Sequence, residues 1–263
     1  MQTVRHLVAA VLFTATASAS AGPVAINDFS FNNNLTDKGS KALTMYANGA
    51  VSYADTAPVA AGGKAVNFNG FGSVKANGVM KTIGDFSIAF WMKTGVASNS
   101  GGSQWYQGNG LVDAETSGMT SDWGISLLNN KIAFGIGGDQ FDKTVSSTKT
   151  VTDNQWHLVS ATWAMSTGTM SLYLDGVLDN TGIGQAGYRY GQNALTLGAI
   201  AVNNNYYNGS LAHVQVFDSV LTAKDVAAIY APKAVPEPGS VALMGLGLAG
   251  LLARRRKAGK PQA

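Results

Sequence analysis

The sequence predicts an all-β protein, an antiparallel β-sandwich that ends in one short helix. Residues 86–93 alternate between two faces, which is the period of a β-strand. Their first face consists of Phe86, Ile88, Phe90 and Met92. Asn129-Asn130 and Asp175-Gly176 separate pairs of hydrophobic segments and suit two-residue hairpin turns. Gly, Asn, Ser and Thr punctuate the rest of the chain, which favours short antiparallel strands over alternating β and α units.

The predicted strands follow one another from residue 65 to residue 217. They are 65–68, 86–93, 123–128, 131–136, 156–163, 170–174, 177–178, 194–197 and 212–217. The short helix comes last, because Thr222 can cap it and Asp225 suits its positive N-terminal end. Its apolar stripe contains Val226, Ile229 and Tyr230.

Residues 1–21 have the order of a signal peptide: Arg5 and His6, an apolar run over residues 7–17, and small residues up to Ala21. We expect cleavage after Ala19 or Ala21. The alternative is a retained transmembrane helix, for which about 11 apolar residues are too few.

The C-terminal end contains a Pro-Glu-Pro motif, an apolar segment and a basic cluster, in that order. The motif is Pro236, Glu237 and Pro238 within a linker at residues 232–240, and the cluster begins with Arg254, Arg255 and Arg256. These elements resemble the PEP-CTERM sorting signal of Gram-negative bacteria. The resemblance implies recognition by an exosortase, a membrane transpeptidase or protease, and association with exopolysaccharide or biofilm matrix. Residues 241–253 then predict a tilted helix in the inner membrane, with residues 254–263 as a basic cytoplasmic tail.

The charge balance argues against a nucleic-acid partner. The net charge is +3, but six basic residues lie in the two targeting ends, so the part between them carries about −3. The chain has no cysteine, so the exported domain relies on its core without disulfides. A domain of roughly 210 residues is large enough for one such core.

Five further segments carry a second resemblance. They are 65–70, 86–91, 155–159, 172–176 and 207–214. In this order they resemble the laminin G-like jelly roll of the concanavalin A-like lectin and glucanase superfamily. The resemblance implies a jelly-roll β-sandwich over residues 22–231. Lectins, adhesion modules and hydrolases share that fold, so function has to be argued from the site.

No catalytic residues are predicted. Glucanases of the superfamily use paired carboxylates in a Glu-x-Asp-x-Glu strand, and retaining enzymes hold two of them about 5 to 5.5 Å apart. This chain contains only two glutamates, Glu115 and Glu237, and no such pattern. His157 and His213 are expected to be packed or half-exposed strand residues. A hydrolase with an unfamiliar, aspartate-based site stays open as an alternative.

A calcium site is the best chemical candidate in the sequence. If Asn129-Asn130 closes its hairpin, four carboxylates converge at one end of a sheet, as a hard cation with six to eight oxygen ligands requires. These are Asp113, Glu115, Asp122 and Asp139. Calcium binding is also common in the laminin G-like family. However, Ala212 and His213 replace the aspartate that commonly follows the terminal Gly-Ser-Ile run, and the four acids could instead be solvated turn residues.

Two loops have the composition of a sugar-binding surface, in which exposed aromatic rings lie beside amides. Trp105 and Tyr106 occupy the first loop, residues 99–109, and are expected to face solvent. Tyr206 occupies the second loop, residues 203–208, where exposure and packing are equally open. The family resemblance suggests that Tyr207 packs over the end of the sandwich. The sequence therefore predicts a non-catalytic surface protein that binds polysaccharide, with calcium as a candidate cofactor. The alternative is a structural or adhesion protein that contacts other proteins and binds no glycan.

Overall fold

A computed structural model describes residues 23–54, 56–77, 84–118, 120–189, 195–200 and 202–231. Seventeen strands and one α-helix occur within these residues. In chain order they are β1 (Asn27–Phe29), β2 (Thr44–Asn48), β3 (Val51–Ala54), β4 (Ala65–Asn69), β5 (Ser73–Asn77), β6 (Phe86–Lys93), β7 (Asn109–Asp113), β8 (Trp123–Leu128), β9 (Lys131–Ile136), β10 (Lys143–Ser146), β11 (His157–Trp163), β12 (Thr169–Leu174), β13 (Val177–Ile183), β14 (Thr196–Leu197), β15 (Ala199–Ile200), β16 (Asn205–Tyr206), β17 (Asn208–Phe217) and α1 (Ala223–Tyr230).

Fifteen of the strands form two large antiparallel sheets, and β15 and β16 form a small two-stranded sheet. The first has the order β13-β12-β11-β6-β17-β4-β3, with β1 also paired to β17, and the second has the order β10-β9-β8-β7-β14-β5-β2. Both predicted hairpin turns are present. Asn129 and Asn130 have φ of 54° and 62°, and Asp175 and Gly176 have φ of 52° and 82°, the left-handed values that such turns require. The predicted all-β sandwich is confirmed.

The main core lies between the inner faces of the two sheets. Phe86, Ile88, Phe90 and Met92 of β6 enter it as the alternation predicts, and Trp123 and Phe134 enter it from the second sheet. The ring of Phe86 lies 5.1 Å from that of Trp123 and 6.4 Å from that of Phe134. Tyr207 is fully buried near Phe68, and its hydroxyl donates to the Lys93 carbonyl oxygen at 2.8 Å. Its predicted packing is therefore confirmed.

The outer face of the first sheet is covered by the C-terminal helix. Thr222 caps α1 and forms a reciprocal capping box with Asp225. Val226 packs with Ala89 and Tyr173 from the sheet, and the ring of Tyr230 stacks on Trp91 at 5.7 Å. The helix therefore buries the face of β6 opposite to the core.

The predicted signal peptide and the predicted C-terminal sorting tail lie outside the described residues. Within the described residues, no helix combines the length and the apolar character needed to cross a membrane.

Candidate functional site

The outer face of the second sheet has a flat bed of small side chains. Gly124 pairs with Gly135, and Ser126 pairs with Ala133, on neighbouring strands β8 and β9. A Cβ atom on Gly135 would lie 1.9 Å from Cδ2 and Cε3 of Trp105. The indole of Trp105 therefore lies directly on the sheet, in space that glycine leaves open.

The expectation that the Trp105 ring faces solvent is wrong, because its side chain is only 1% exposed. Trp105 opens a short 3-10 helix (Trp105–Gln107) whose backbone is fastened to the sheet. The Trp105 amide donates to Thr144 Oγ1 at 3.2 Å, and Ser126 Oγ donates to the Trp105 carbonyl oxygen at 2.5 Å. Leu128 and Ile200 complete its apolar surroundings.

A cleft of about 450 Å³ opens above this bed. Its walls combine aromatic, carboxyl and amide side chains, as polar ligand sites commonly do. The lining residues are Trp105, Tyr106, Glu115, Ser117, Gly118, Thr120, Asp122, Gly138, Gln140, Asp142, Val202 and Asn203.

Two predicted acidic residues form a coupled pair in the cleft. Burial raises the pKa of Glu115 to about 8, and the charges of Asp122, Asp113 and Asp142 add to the rise. Burial also raises the pKa of Asp122, although hydrogen bonds, including one from the Thr116 amide at 3.0 Å, oppose that rise. Because Glu115 and Asp122 are hydrogen-bonded to each other, one proton is shared between them near neutral pH.

The side chain of Tyr106 lies at the edge of the cleft. Its ring meets Trp105 edge-on at 5.0 Å. Burial, followed by the charge of Asp142 and a hydrogen bond to that carboxylate, raises the pKa of the Tyr106 hydroxyl. Half-buried Tyr106 thus keeps part of its ring available, whereas Trp105 supports it from below.

Arg189 supports the cleft from inside the protein. Its Nη1 donates to the carbonyl oxygens of Thr120 at 3.1 Å and Gly137 at 2.6 Å, and its guanidinium lies 4.8 Å from the centre of the Trp163 ring. Burial lowers the pKa of Arg189, while the negative charge of Asp122 opposes this effect. Arg189 thus fixes the backbone that carries one wall of the cleft.

The four predicted calcium ligands do not share one position. Asp113 is fully buried in β7, paired with Gly124, whereas Glu115 and Asp122 line the cleft. Exposed Asp139 instead lines an adjoining groove with Phe141 and Ile183. Across the part of the chain that the structure describes, no three His, Asp or Glu side chains are grouped as metal ligands. Calcium binding therefore stays a prediction.

The second loop contacts the first through the side-chain amides of its asparagines. Asn203 and Asn205 donate from their side chains to the Tyr106 carbonyl oxygen at 3.3 and 3.1 Å, so the loop closes over the first one. Tyr206 is partly buried, and its hydroxyl donates to Asn204 Oδ1 at 3.3 Å. Tyr206 is not among the lining residues of the cleft, and its role in sugar binding stays a prediction.

Sequence reasoning missed Asp142 and Gln140, and it placed Asn203 in the second predicted sugar-binding loop without naming it as a site residue. Asp142 immediately precedes β10, whose first residue pairs with Ile136 at the end of β9, so strand pairing brings it to the cleft. The repeated small residues on one face of β8 and β9 were the available signal that a large ring covers this sheet.

The two histidines within the described residues lie beside carboxylates away from the cleft. His157 places Nδ1 2.9 Å from Asp175 and Nε2 3.1 Å from Asp153, and the hydrogen bond to Asp175 is the main reason why its pKa is raised. His213 Nε2 lies 3.4 Å from Asp28 Oδ1. Both occupy strands and are partly buried, as the sequence predicts.

Two family models match this chain, one over the folded domain and one over the C-terminal tail. A model of the concanavalin A-like lectin/glucanases superfamily matches residues 68–227, and the PEP-CTERM protein-sorting motif matches residues 234–257. A protein of Rattus norvegicus, "Sushi, von Willebrand factor type A, EGF and pentraxin domain-containing protein 1", is 25% identical in an alignment of length 167 that covers 59% of this chain and 4% of that protein.

Solved structures of binding domains share the fold at low sequence identity. Domain 4 of AbnA, an extracellular arabinanase of Geobacillus stearothermophilus solved with arabinotriose, is 18% identical with a TM-score of 0.62 over 80% of this chain and all of that one. The binding domain of Paraclostridial Mosquitocidal Protein 1 is 12% identical, with a TM-score of 0.61 over 79% of this chain. The chain spans 52% of the latter structure.

Proposed function

The chain belongs to the concanavalin A-like lectin/glucanases superfamily, and we propose that it is an exported, non-catalytic protein that binds carbohydrate in the cleft above Trp105. One observation carries this proposal: Tyr106 stands beside carboxyl and amide side chains around an open cleft of about 450 Å³. Sugars are bound by such combinations, in which a ring packs against an apolar sugar face and polar groups bond the hydroxyls. The arabinotriose complex of AbnA domain 4 supports the proposal by analogy of fold.

The sorting motif supports export as the setting of this activity. In the proposal, an exosortase-type transpeptidase recognises residues 236–238, and the C-terminal segment attaches the protein to the inner membrane during or after sorting. The natural ligand is then a polysaccharide or another component of the cell surface or the extracellular matrix.

The pairing of two carboxyl groups in the cleft supports the non-catalytic part of the proposal. Glu115 and Asp122 share a proton and bond each other, whereas glycoside hydrolysis needs two carboxyl groups on opposite sides of the scissile bond. A glycosidase assay on every glycan that binds tests this part of the proposal, and turnover of any of them would contradict it.

A glycan array with the full-length chain tests carbohydrate binding. We expect saturable binding that Tyr106→Ala weakens by about tenfold or more, as loss of a stacking ring at a binding centre commonly does. Tyr46→Ala is a matched control, since Tyr46 is exposed on β2 and lies outside the cleft. Equal binding by both variants would place the sugar site elsewhere, and an array without any specific binding would refute the proposal.

Calcium is the second element of the proposal, with Glu115 and Asp122 as its ligands in the cleft. A thermal unfolding scan in EDTA and in millimolar calcium measures it, because an ion that binds only the native state raises the melting temperature. An unchanged melting temperature would remove calcium from the proposed function and leave carbohydrate binding untouched.

A structural or adhesion role is the alternative function. The groove beside the cleft favours it, since Phe141 is 81% exposed and Ile183 is 65% exposed, and adjacent apolar side chains on a surface often mark protein contacts. Analytical ultracentrifugation separates the alternatives. Self-association that Phe141→Ser abolishes, in a protein without glycan affinity, would favour the adhesion role.

A further inference from the structure

The cleft shares part of its wall with the groove beside it. The groove has a volume of about 400 Å³, close to the volume of about 450 Å³ of the cleft. Gln140 and Asp142 line both of them, so the segment at residues 138–142 is the border between the two cavities. A chain-like ligand that extends from the cleft across this segment enters the groove.

The border segment is held in place by two sets of hydrogen bonds. Within it, the Gly138 amide donates to Asp142 Oδ1 at 3.3 Å. Outside it, buried Arg189 donates to the carbonyl oxygens of Gly137 and Gln185, each at 2.6 Å. Because Gln185 lines the groove and Gly137 directly precedes the border segment, one guanidinium connects the two. The cleft and the groove therefore keep a fixed position relative to each other.

The two walls of the groove come from different sheets and are hydrogen-bonded to each other. The segment before β10 forms one wall, and the end of β13, including Ile183, forms the other. Along this edge of the sandwich the Asn180 side chain donates to the Ser146 carbonyl oxygen at 2.8 Å, and the Thr148 amide donates to Asp179 Oδ2 at 2.7 Å. These bonds fix the distance between the walls, and a preformed site binds its ligand at a smaller entropic cost.

The groove has an aromatic ring on its rim. The side chain of Phe141 is 81% exposed. The apolar face of a sugar packs against such a ring, and the polar side chains of Gln140, Lys143 and Gln185 can bond the hydroxyl groups. The groove therefore repeats the combination of ring and polar groups that Tyr106 and its neighbours present in the cleft.

The composition of the groove favours a sugar chain over a protein partner. Among its described lining residues, Phe141 and Ile183 are large and apolar, whereas five others have polar side chains. A stable protein interface buries about 800 Å² on each partner around an apolar centre, and two apolar side chains form a much smaller one. Sites for small ligands span about 300–1,000 Å³, so each cavity suits a short saccharide and both together suit a longer chain.

We propose that the cleft and the groove form one extended site for an internal segment of a linear polysaccharide, with Phe141 as a second sugar-packing ring besides Tyr106. This inference rests on the proposed carbohydrate-binding function and narrows its ligand to chains that are longer than the cleft. Single sugars and branched ends engage one cavity and bind more weakly. A linear chain fills the second cavity at little further entropic cost, because that step is intramolecular.

Isothermal titration calorimetry of the full-length chain, in a detergent without a sugar headgroup, tests the inference. The probes are linear oligosaccharides of two, four and six units from β-1,4-glucan, β-1,4-xylan and α-1,5-arabinan. These series are neutral, so chain length varies without charge. Any other linear glycan that binds on the array is tested at the same three lengths. We expect the six-unit chain to bind about tenfold tighter or more than the two-unit chain, the scale of one well-placed aromatic contact.

Phe141→Ala separates a second binding ring from the statistical effect of chain length. A longer chain offers more registers to a single site and binds somewhat tighter for that reason alone, and the variant keeps this part of the gain. We expect Phe141→Ala to weaken binding of the six-unit chain by about tenfold and to leave the two-unit chain within about twofold. Tyr106→Ala should weaken binding of both lengths, because its ring lies in the cleft that every chain occupies.

Phe71→Ala is the matched control. Phe71 is 78% exposed in the connection between β4 and β5, at the opposite edge of the sandwich, and it lines neither cavity. Since both phenylalanines are largely exposed, both variants should fold with the melting temperature of the wild type. The control should bind all three lengths as the wild type does.

The outcomes separate this inference from the function on which it rests. Equal affinity at all three lengths, or equal effects of Phe141→Ala and Phe71→Ala on the six-unit chain, overturns the inference and leaves carbohydrate binding standing. Binding confined to branched or single-unit array glycans has the same meaning. Self-association that Phe141→Ala abolishes, with glycan affinity unchanged, would assign the groove to a second copy of this chain and overturn the inference. Absence of binding to any glycan overturns both.

Discussion

Gly135→Ala is expected to displace the Trp105 ring from the second sheet. The new Cβ would lie 1.9 Å from two ring carbons, although ordinary van der Waals contact begins near 3.4 Å, so the ring has to move by about 1.5 Å. Overpacking of this kind costs about 1–3 kcal/mol, from which the gain of replacing a strand glycine subtracts about 0.5–1 kcal/mol. The difference spans about 0–2.5 kcal/mol, and because the ring has to move so far we expect a loss in the upper part of it, about 1–2 kcal/mol, and a fall in melting temperature of about 2–8 °C.

Thermal unfolding followed by tryptophan fluorescence measures this change, and a double-mutant cycle identifies its cause. In a Trp105→Ala background the added methyl group has no ring to meet, so Gly135→Ala should then cost less than about 0.5 kcal/mol. Gly84→Ala is the matched control, because its Cβ would meet nothing closer than Met165 Sδ at 4.0 Å. An equal cost of Gly135→Ala in both backgrounds would refute the packing argument.

Three further predictions concern charged side chains. Arg189→Met removes the donor to the buried Gly137 carbonyl oxygen and to the part-buried carbonyl oxygens of Thr120 and Gln185, and should cost about 2 kcal/mol or more in urea unfolding, which an unchanged midpoint would contradict. The raised pKa of His157 means that its pairs with Asp153 and Asp175 stabilise the fold below about pH 6.5 and lose effect as pH rises through the folded pKa. Urea midpoints of wild type and His157→Gln should therefore converge at high pH. Glu115 has a folded pKa of about 8 against an ordinary value of 4.5, so stability should fall as pH rises from about 4.5 to 8, and Glu115→Gln should flatten that dependence; parallel slopes would contradict this.

The sequence predicts strands and hairpins correctly where one periodic signal dominates. The alternation in β6 and the turn residues Asn129-Asn130 each specify a local geometry, and strand pairing then follows from it. The same alternation puts Ala89 and Trp91 on the opposite face of β6 and gives no sign that they are buried. These residues lie on the outer face, where α1 covers both of them and the segment at residues 57–61 also packs against Trp91.

The site was only partly predictable, for a physical reason. Hairpin pairing correctly places Asp122 opposite Gly137, whose amide donates to the Asp122 carbonyl oxygen at 2.9 Å. The burial of Trp105 depends on glycines of two other strands, and the arrival of Asp142 depends on how the 137–142 loop turns. The small residues of β8 and β9 indicate that a large ring covers this sheet but do not identify the ring as Trp105, and the arrival of Asp142 has no local signal, because both result from contacts between distant segments.

The place of β17 in the first sheet has a mechanical consequence. This ten-residue strand leads into the C-terminal helix and is hydrogen-bonded on one side to β6 and on the other to β1 and β4. When the protein is held through its C-terminus, tension along the chain reaches β17 and has to break bonds on both of its edges together. The cleft lies on the opposite outer face, and none of the described residues that line it belongs to the first sheet, so the load is applied away from the candidate site.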